Sequence, residues 1–252
     1  MPLVKTAAII LKSRRWGEAD RIVTFYSKKF GKIRGVARGA RRFKSHFGAT
    51  LEPFTRCHLD LFEKPGDSLY RISHVDLIES FQPLREELVL MACAARMVNV
   101  VGAVTPDGDP DARLFETLGQ GLRSLKGSRD PVLMALLFQI RLLGLTGFRL
   151  QTDHCATCGK AGVTGAPQFS PLAGGFVCLP CATRQMVQCV VMSRGSLSFL
   201  QQAIRLTPEL VTRLKATGQV RAEVERAIEG YVTVVAGRRL PPVDFLASTS
   251  SV

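Results

Sequence analysis

Four of the seven cysteines in this 252-residue chain stand in two Cys-x-x-Cys pairs, Cys155 with Cys158 and Cys178 with Cys181, 19 residues apart. That spacing lies within the C-x2-C-x15–20-C-x2-C pattern of zinc sites. Each pair can clamp a tetrahedral ion from one turn, and four thiolates close the shell with no position left for a reactive water. The expected cofactor is therefore one structural Zn2+ held by Cys155, Cys158, Cys178 and Cys181. Gly159 would let the chain curl past the sulfurs, and Gly174-Gly175 offers a hairpin turn between the pairs. A redox-active Cys-x-x-Cys and four unrelated thiols are the competing readings, and His154 is a neighbour that could substitute as a ligand. Cys57, Cys93 and Cys189 read as small buried residues. The odd count with metal spacing points to a reducing compartment rather than a secreted disulfide framework.

The second chemical signal is charge. Residues 1–50 carry 13 Lys and Arg against Glu18 and Asp20, a net of +11, whereas the remainder carries 21 against 19. A basic head on a near-neutral body indicates a polyanion partner. From Lys28 to Lys44 there is no acid, and the cations are Lys28, Lys29, Lys32, Arg34, Arg38, Arg41, Arg42 and Lys44, with Arg14 and Arg15 upstream. Tyr26, Phe30, Phe43 and Phe47 are interleaved with or adjacent to them, and Tyr26, Phe43 and Phe47 are the stacking candidates. Cations neutralise phosphates and release counterions, while aromatic faces stack unpaired bases at about 1–3 kcal/mol each. The ten cations are thus candidate DNA contacts and the three aromatics candidate stacking residues, although strands of a small barrel need such rings inside. Gly35, Gly39 and Gly48 disfavour helix here, so Arg38–Lys44 reads as an exposed loop able to follow a phosphate backbone.

No catalytic constellation accompanies these signals. His46, His58 and His74 are scattered, no P-loop, dinucleotide fingerprint or nucleophile elbow is present, and no carboxylate cluster stands out. The expectation is a binding protein with no catalytic residue. Its longest apolar run, Leu88–Ala95, is far short of the ~18 residues of a membrane span. Ala7–Leu11 is too short for a secretory segment, which makes the expected location cytoplasmic.

The elements that must position these residues follow from hydrophobic periodicity. Strands are expected at Leu3–Lys12, Arg21–Ser27, Gly31–Ala37, Leu51–Phe62 and Leu69–Ile78, with a turn at Pro65-Gly66-Asp67. Inward parity changes between Ile72 and Val75, which predicts a bulge. Helical periodicity follows at Leu84–Val104, with Glu86-Glu87 as an exposed first turn. It resumes at Ala112–Leu125, at Val132–Gly147 opened by Pro131, and at Ser193–Arg205, Pro208–Ala216 and Val220–Ala236. The fold class is α+β and multidomain: a five-stranded OB-fold barrel, then a mostly α-helical domain with an inserted four-cysteine module. The expected divisions are 1–80 for the barrel, 81–152 and 191–246 for the helices, 153–190 for the zinc module and 247–252 for a flexible tail.

The run from Gly17-Glu18-Ala19-Asp20-Arg21-Ile22-Val23 through Gly31–Arg42, then Ser45 and Gly48–Phe54, resembles the N-terminal domain of the bacterial RecO recombination mediators. The likeness extends more loosely through the helices and the four cysteines. It implies a nucleoid-associated repair protein that binds single- and double-stranded DNA and anneals complementary strands. It further implies the partners RecR and single-stranded DNA-binding protein (SSB), and help in loading the recombinase. A zinc-ribbon transcription or RNA-binding factor is the alternative that the residues alone leave open.

Overall fold

The computed structural model describes residues 3–63, 69–162, 166–185, 188–207 and 213–240. Strands β1 (Leu3–Trp16), β2 (Asp20–Ser27), β3 (Gly31–Ala37), β4 (Arg56–Phe62) and β5 (Tyr70–Glu79) close into a barrel in the order β1-β2-β3-β5-β4. Only β3 and β5 pair in parallel. This is a five-stranded barrel of the OB type. Alternation turns Ala8, Ile10, Val23, Phe25, Leu59 and Leu61 inward, where all are fully buried. The 3-10 turn Gly48–Leu51 between β3 and β4 adds Leu51, and Phe47 just before it, to the same core.

Three register shifts shape the barrel, one of them at the start of β4, where Arg56 pairs with Glu79 and Cys57 with Leu77. Asp60 pairs with His74 and Leu61 with Ile72, so Ser73 is the extra residue in β5, where the parity change predicts it. Its Oγ donates to the Asp60 carbonyl at 3.0 Å. In β1, Ile10 pairs with Phe25 and Lys12 with Thr24, which leaves Leu11 extra. This bulge resets the alternation and hides the polar second half of β1 from a periodicity reading, so the strand ends at Trp16 rather than Lys12. Strand β4 starts at Arg56 rather than Leu51. Pro53 lacks an N–H for a ladder, and Phe54 holds a left-handed backbone (φ 77°). That conformation is secured by Phe54 N–H donating to the Ile10 carbonyl at 2.8 Å and Ile10 N–H donating to the Thr55 carbonyl at 2.9 Å.

Ile9 and Leu11 face outward from the barrel yet are 0% and 5% exposed. They are covered by α2 (Leu88–Val104) and α3 (Ala112–Leu125), which approach closely at glycines. A Cβ on Gly102 would lie 3.9 Å from Leu11, and one on Gly119 would lie 3.7 Å from Ile9. The single helix expected from Leu84 is two, because Glu87 is extended (φ −114°, ψ 125°) between α1 (Pro83–Glu86) and α2. Glu87 therefore occupies the N-cap of α2 instead of its first turn. Helix α3 is capped by the Asp111 carboxylate, which accepts from the N–H groups of Arg113 and Leu114.

The barrel and α1–α3 belong to one compact unit, and Val132–Pro241 forms a second. The second contains α4 (Pro131–Leu145), which starts at Pro131 as expected and is buried over most of its surface. A small sheet of β6 (Gln168–Ser170), β7 (Gly175–Val177) and β8 (Val190–Val191), with α5 (Leu179–Gln185), follows. Helices α6 (Arg194–Arg205) and α7 (Gly218–Ala236) complete it. Their junction is a buried carboxylate. Glu223 on α7 accepts from Ser193 N–H (2.7 Å), Ser196 Oγ (2.6 Å) and Gln219 Nε2 (2.6 Å). Burial opposes its charge, but these donors outweigh burial and hold its pKa down at about 2.

The turn at Pro65-Gly66-Asp67 and the tail 247–252 lie outside the described residues. So do residues 208–212 of the helix expected at Pro208–Ala216, and 213–217 are not helical. No described helix is long and apolar enough to cross a membrane.

Candidate nucleic-acid interface and metal centre

The four cysteines converge. Cys155 and Cys158 lie in a tight turn in which Gly159 N–H donates to the Cys155 carbonyl at 2.9 Å and Gly159 takes φ 72°. Gly174, at φ 66°, closes the β6–β7 hairpin and brings Cys178 back to the first pair. Cys181 is presented from α5. Ala156 N–H donates to the Phe176 carbonyl at 2.7 Å, which fixes the first turn against β7. All four sulfurs lie within 4.8 Å of one another, and Cys158 and Cys178 are 3.7 Å apart. A tetrahedron with metal–sulfur bonds of ~2.3 Å has edges of about 3.8 Å, so the cluster has the dimensions of a four-thiolate metal site.

The electrostatics suit the same role. Burial disfavours the Cys155 thiolate, yet hydrogen bonds from Cys158, Cys178 and Thr157 prevail and bring its pKa to about 6. Cys178 N–H donates to its sulfur at 3.3 Å. Cys181 moves the other way, to about 12, first through its hydrogen bond to Cys178 and then through burial. Four thiols this close ionise together only around a cation. His154 is not part of the cluster.

The basic head resolves into distinct places. On the outer surface of β1, β2, β3 and β5, strand register lines up Lys12, Thr24 and Arg34 in one row and Arg14, Ile22, Val36 and Arg71 in the next. The loop Arg38–Lys44 is clipped to the β1–β2 hairpin beside this face. Arg41 N–H donates to the Ala19 carbonyl (2.9 Å), Arg41 Nη1 to the Glu18 carbonyl (2.8 Å), and Gly39 N–H to Asp20 Oδ1 (2.8 Å). Among the described residues, Arg14, Arg15, Arg34, Arg38, Arg42 and Lys44 have no carboxylate partner. Arg15 alternates to the opposite side of β1 from Arg14, and the others leave like charges unrelieved along the outer rows and in the loop clipped beside them.

Other expected contacts fall elsewhere. Lys32 is 15% exposed in its side chain, and its ammonium donates to the Gly102 and Thr105 carbonyls (2.8 and 2.6 Å) and pairs with Asp107 (3.2 Å). It caps the C-terminal end of α2, where a cation is favoured by the helix dipole, and has little left for a phosphate. Tyr26 is 1% exposed, its hydroxyl accepting from Asp111 N–H at 3.0 Å. Phe47 is in the barrel core. Neither ring presents a face for stacking. Phe43 does, being fully exposed in the clipped loop. Lys28 and Lys29 lie in the β2–β3 turn and line a separate cavity with Lys5 and Arg56.

Comparison with known proteins adds the family. Residues 1–81 match the model described as "Recombination protein O N terminal", and residues 85–242 match "Recombination protein O C terminal". The chain is 31% identical over 254 residues to the DNA repair protein RecO of Symbiobacterium thermophilum, covering 100% of this chain and 99% of that protein. It is 33% identical to that of Myxococcus xanthus, covering 95% of each. The chain belongs to the RecO family of DNA repair and recombination proteins.

With a RecO-family barrel in view, three residues that periodicity passed over join the basic face. Trp16 is 55% exposed at the hairpin tip, and Lys12 and Arg71 share its outer rows. The signal for Trp16 was its isolation: a lone tryptophan next to Gly17, flanked by Arg14 and Arg15, has no apolar neighbours to pack against in sequence. Lys12 and Arg71 carried no such mark, since their placement depends on the Leu11 bulge and on a parallel pairing.

Proposed function

We propose that this chain is a non-enzymatic recombination mediator that binds single- and double-stranded DNA through the outer face of β1, β2, β3 and β5 and the loop beside it. The observation that carries this reading is the set of cations without a carboxylate partner among the described residues, Arg14 and Arg34 on the outer strand rows and Arg38, Arg42 and Lys44 in the loop clipped to the β1–β2 hairpin, together with two exposed rings, Trp16 and Phe43. Cations track phosphates and the rings stack unpaired bases, a combination that suits single strands and tolerates any sequence. Two strands repel through their phosphates, and a dense cationic surface lowers that repulsion while they find register. Annealing of this kind needs no nucleotide hydrolysis. The ion at the four cysteines is zinc, in a structural role, and the chain works in the bacterial cytoplasm at the nucleoid.

RecR and SSB are the partners through which the protein helps load the recombinase. A groove between α4 and α6 supports the SSB contact. It has a volume of about 230 Å³ and an apolar floor that includes Ile140, Leu145 and Ile204, with Arg141 and Arg149 at its rim. An acidic tail ending in apolar residues fits both features.

The test is annealing of complementary oligonucleotides across a salt series, with and without SSB, alongside binding to single strands. Replacing Arg34, Arg38 and Arg42 together with alanine should reduce the slope of log affinity against log salt by about 2, at ~0.7 per phosphate contact. An unchanged slope removes the face from the reading. Preference for RNA over DNA of the same sequence would favour an RNA-binding role instead.

A further inference from the structure

The barrel carries a second concave basic surface. A cavity of about 650 Å³ lies over β1 and β4 and is lined by Lys5, Lys28, Lys29, Arg56, His58 and Ile78. Its cations come from three segments: Lys5 from β1, Lys28 and Lys29 from the β2–β3 turn, and Arg56 from β4. The turn is held in place, with Lys28 N–H donating to the Ala7 carbonyl (2.9 Å) and Lys29 N–H to Thr6 Oγ1 (3.3 Å). Arg56 lies over the Phe115 ring at 5.1 Å, and its buried Nε has no hydrogen-bond partner among the described residues.

This surface is not a continuation of the first. Between them runs the stretch of β1 holding Ile9 and Leu11, both buried under α2 and α3. Past the Leu11 bulge, the same strand presents Lys12 and Arg14 to the other face. One strand thus serves two basic surfaces separated by a covered apolar band.

Carboxylates moderate the second surface. Glu116 on α3 sits 3.1 Å from Lys28 and 3.4 Å from Arg56, and Asp60 pairs with Lys5 at 3.0 Å. Lys29 has no carboxylate partner among the described residues. The surface is therefore weaker than the first, and Glu116 competes for two of its cations.

We infer that this cavity is a second phosphate-binding site, which holds the backbone of a second nucleic-acid strand on the same barrel. Lysines dominate it, and as point charges they need no fixed bidentate geometry, which suits a mobile phosphate track. Its size is within the range of small-ligand sites, so a nucleotide unit can enter. Ala7 and Ile78 are the only apolar residues in its lining, the remaining carbon surface being side-chain stems of polar and charged residues, so it lacks a pocket for a large hydrophobic anchor of a peptide. The inference rests on the proposed DNA-binding role of the first face, and it gives annealing a geometry in which two strands are held by one chain.

The experiment is calorimetric titration of the full chain with (dT)8 at low salt. Donor- and acceptor-labelled (dT)8 mixed with the protein report co-occupancy by energy transfer. The wild type should bind two strands per chain, the second more weakly. Lys28→Ala with Lys29→Ala should weaken the second step about tenfold and lower its salt slope by about 1.4, leaving the first step unchanged. Glu116→Gln should act oppositely, tightening the second step severalfold, a gain that misfolding does not produce. A single strand per chain, or a second step indifferent to these substitutions, overturns the proposal. So does an octaglutamate peptide that binds here while the second oligonucleotide step stays unaltered, since the site would then be a protein-docking surface. If instead Arg34, Arg38 and Arg42 prove irrelevant to the first step, the first-face reading fails independently of this one.

Discussion

The four-cysteine cluster, which has the dimensions of a metal site, and the basic face of the barrel, the proposed DNA-binding surface, are built by opposite means. The cluster is closed. Its sulfurs are drawn within 4.8 Å by two tight turns, and hydrogen bonds set one thiol's pKa low before any ion enters. The basic face is open: among the described residues Arg14, Arg34, Arg38, Arg42 and Lys44 have no carboxylate partner, and Trp16 and Phe43 are exposed. The first turns its chemistry inward, to hold the second unit together. The second leaves its chemistry available to a ligand. A site that stabilises the fold satisfies its own groups, whereas a site that binds a partner leaves them unsatisfied, at a cost in stability.

The largest effect that would test this contrast is metal removal. Structural zinc contributes roughly 10–16 kcal/mol in small zinc-binding peptides, so Cys178→Ser or chelation should unfold the region around 151–191. Hydrogen exchange should show that loss while β1–β5 keep their protection. Metal analysis should find one zinc per folded wild-type chain, and a folded, metal-free protein would break the contrast outright. Next in size is Trp16→Ala. It should lower single-strand affinity by about 1–3 kcal/mol with no change in thermal stability. Tyr26→Phe should do the reverse, costing about 1 kcal/mol of stability and nothing in DNA binding.

A fourth prediction concerns acid. The folded pKa of Glu223 is about 2, below its ordinary 4.5, so its stabilisation is whole above about pH 4.5 and is lost as pH falls toward 2. Glu223→Gln should flatten that acid-limb dependence and cost about 2 kcal/mol at neutral pH. Denaturation monitored in the second unit at pH 3, 4 and 7 checks both. The barrel's DNA binding should be indifferent to the change.

The four-cysteine cluster was legible because ligand spacing is a local property: two pairs and two glycines suffice to bring four sulfurs together. The barrel was legible in its strand count and its Ser73 bulge for the same reason, since alternation is read over a few residues. What escaped was non-local. Lys32 looks like any other cation in its run, and only the carbonyls of Gly102 and Thr105, some seventy positions on, show that it is already engaged. Tyr26 and Phe47 look like stacking candidates until the chain that buries them is in place. In the other direction, the bulge at Leu11 concealed the second half of β1, and with it Trp16 as part of a strand. Glu87 misled for a smaller reason: helical periodicity runs through a single extended residue without registering the break.

Gly31 carries a consequence for dividing the chain. At φ 64° it lets the backbone of Asp109 pass so close that a Cβ would lie 2.2 Å from the Asp109 carbonyl oxygen, and Gly108 N–H donates to the Lys32 carbonyl at 3.0 Å. The two family matches part between residues 81 and 85. The polypeptide does not come apart there. A fragment ending at 81 lacks the residues that cover Ile9 and Leu11, hold the Tyr26 hydroxyl and accept from Lys32, so it should fold less stably than one extending through Leu125.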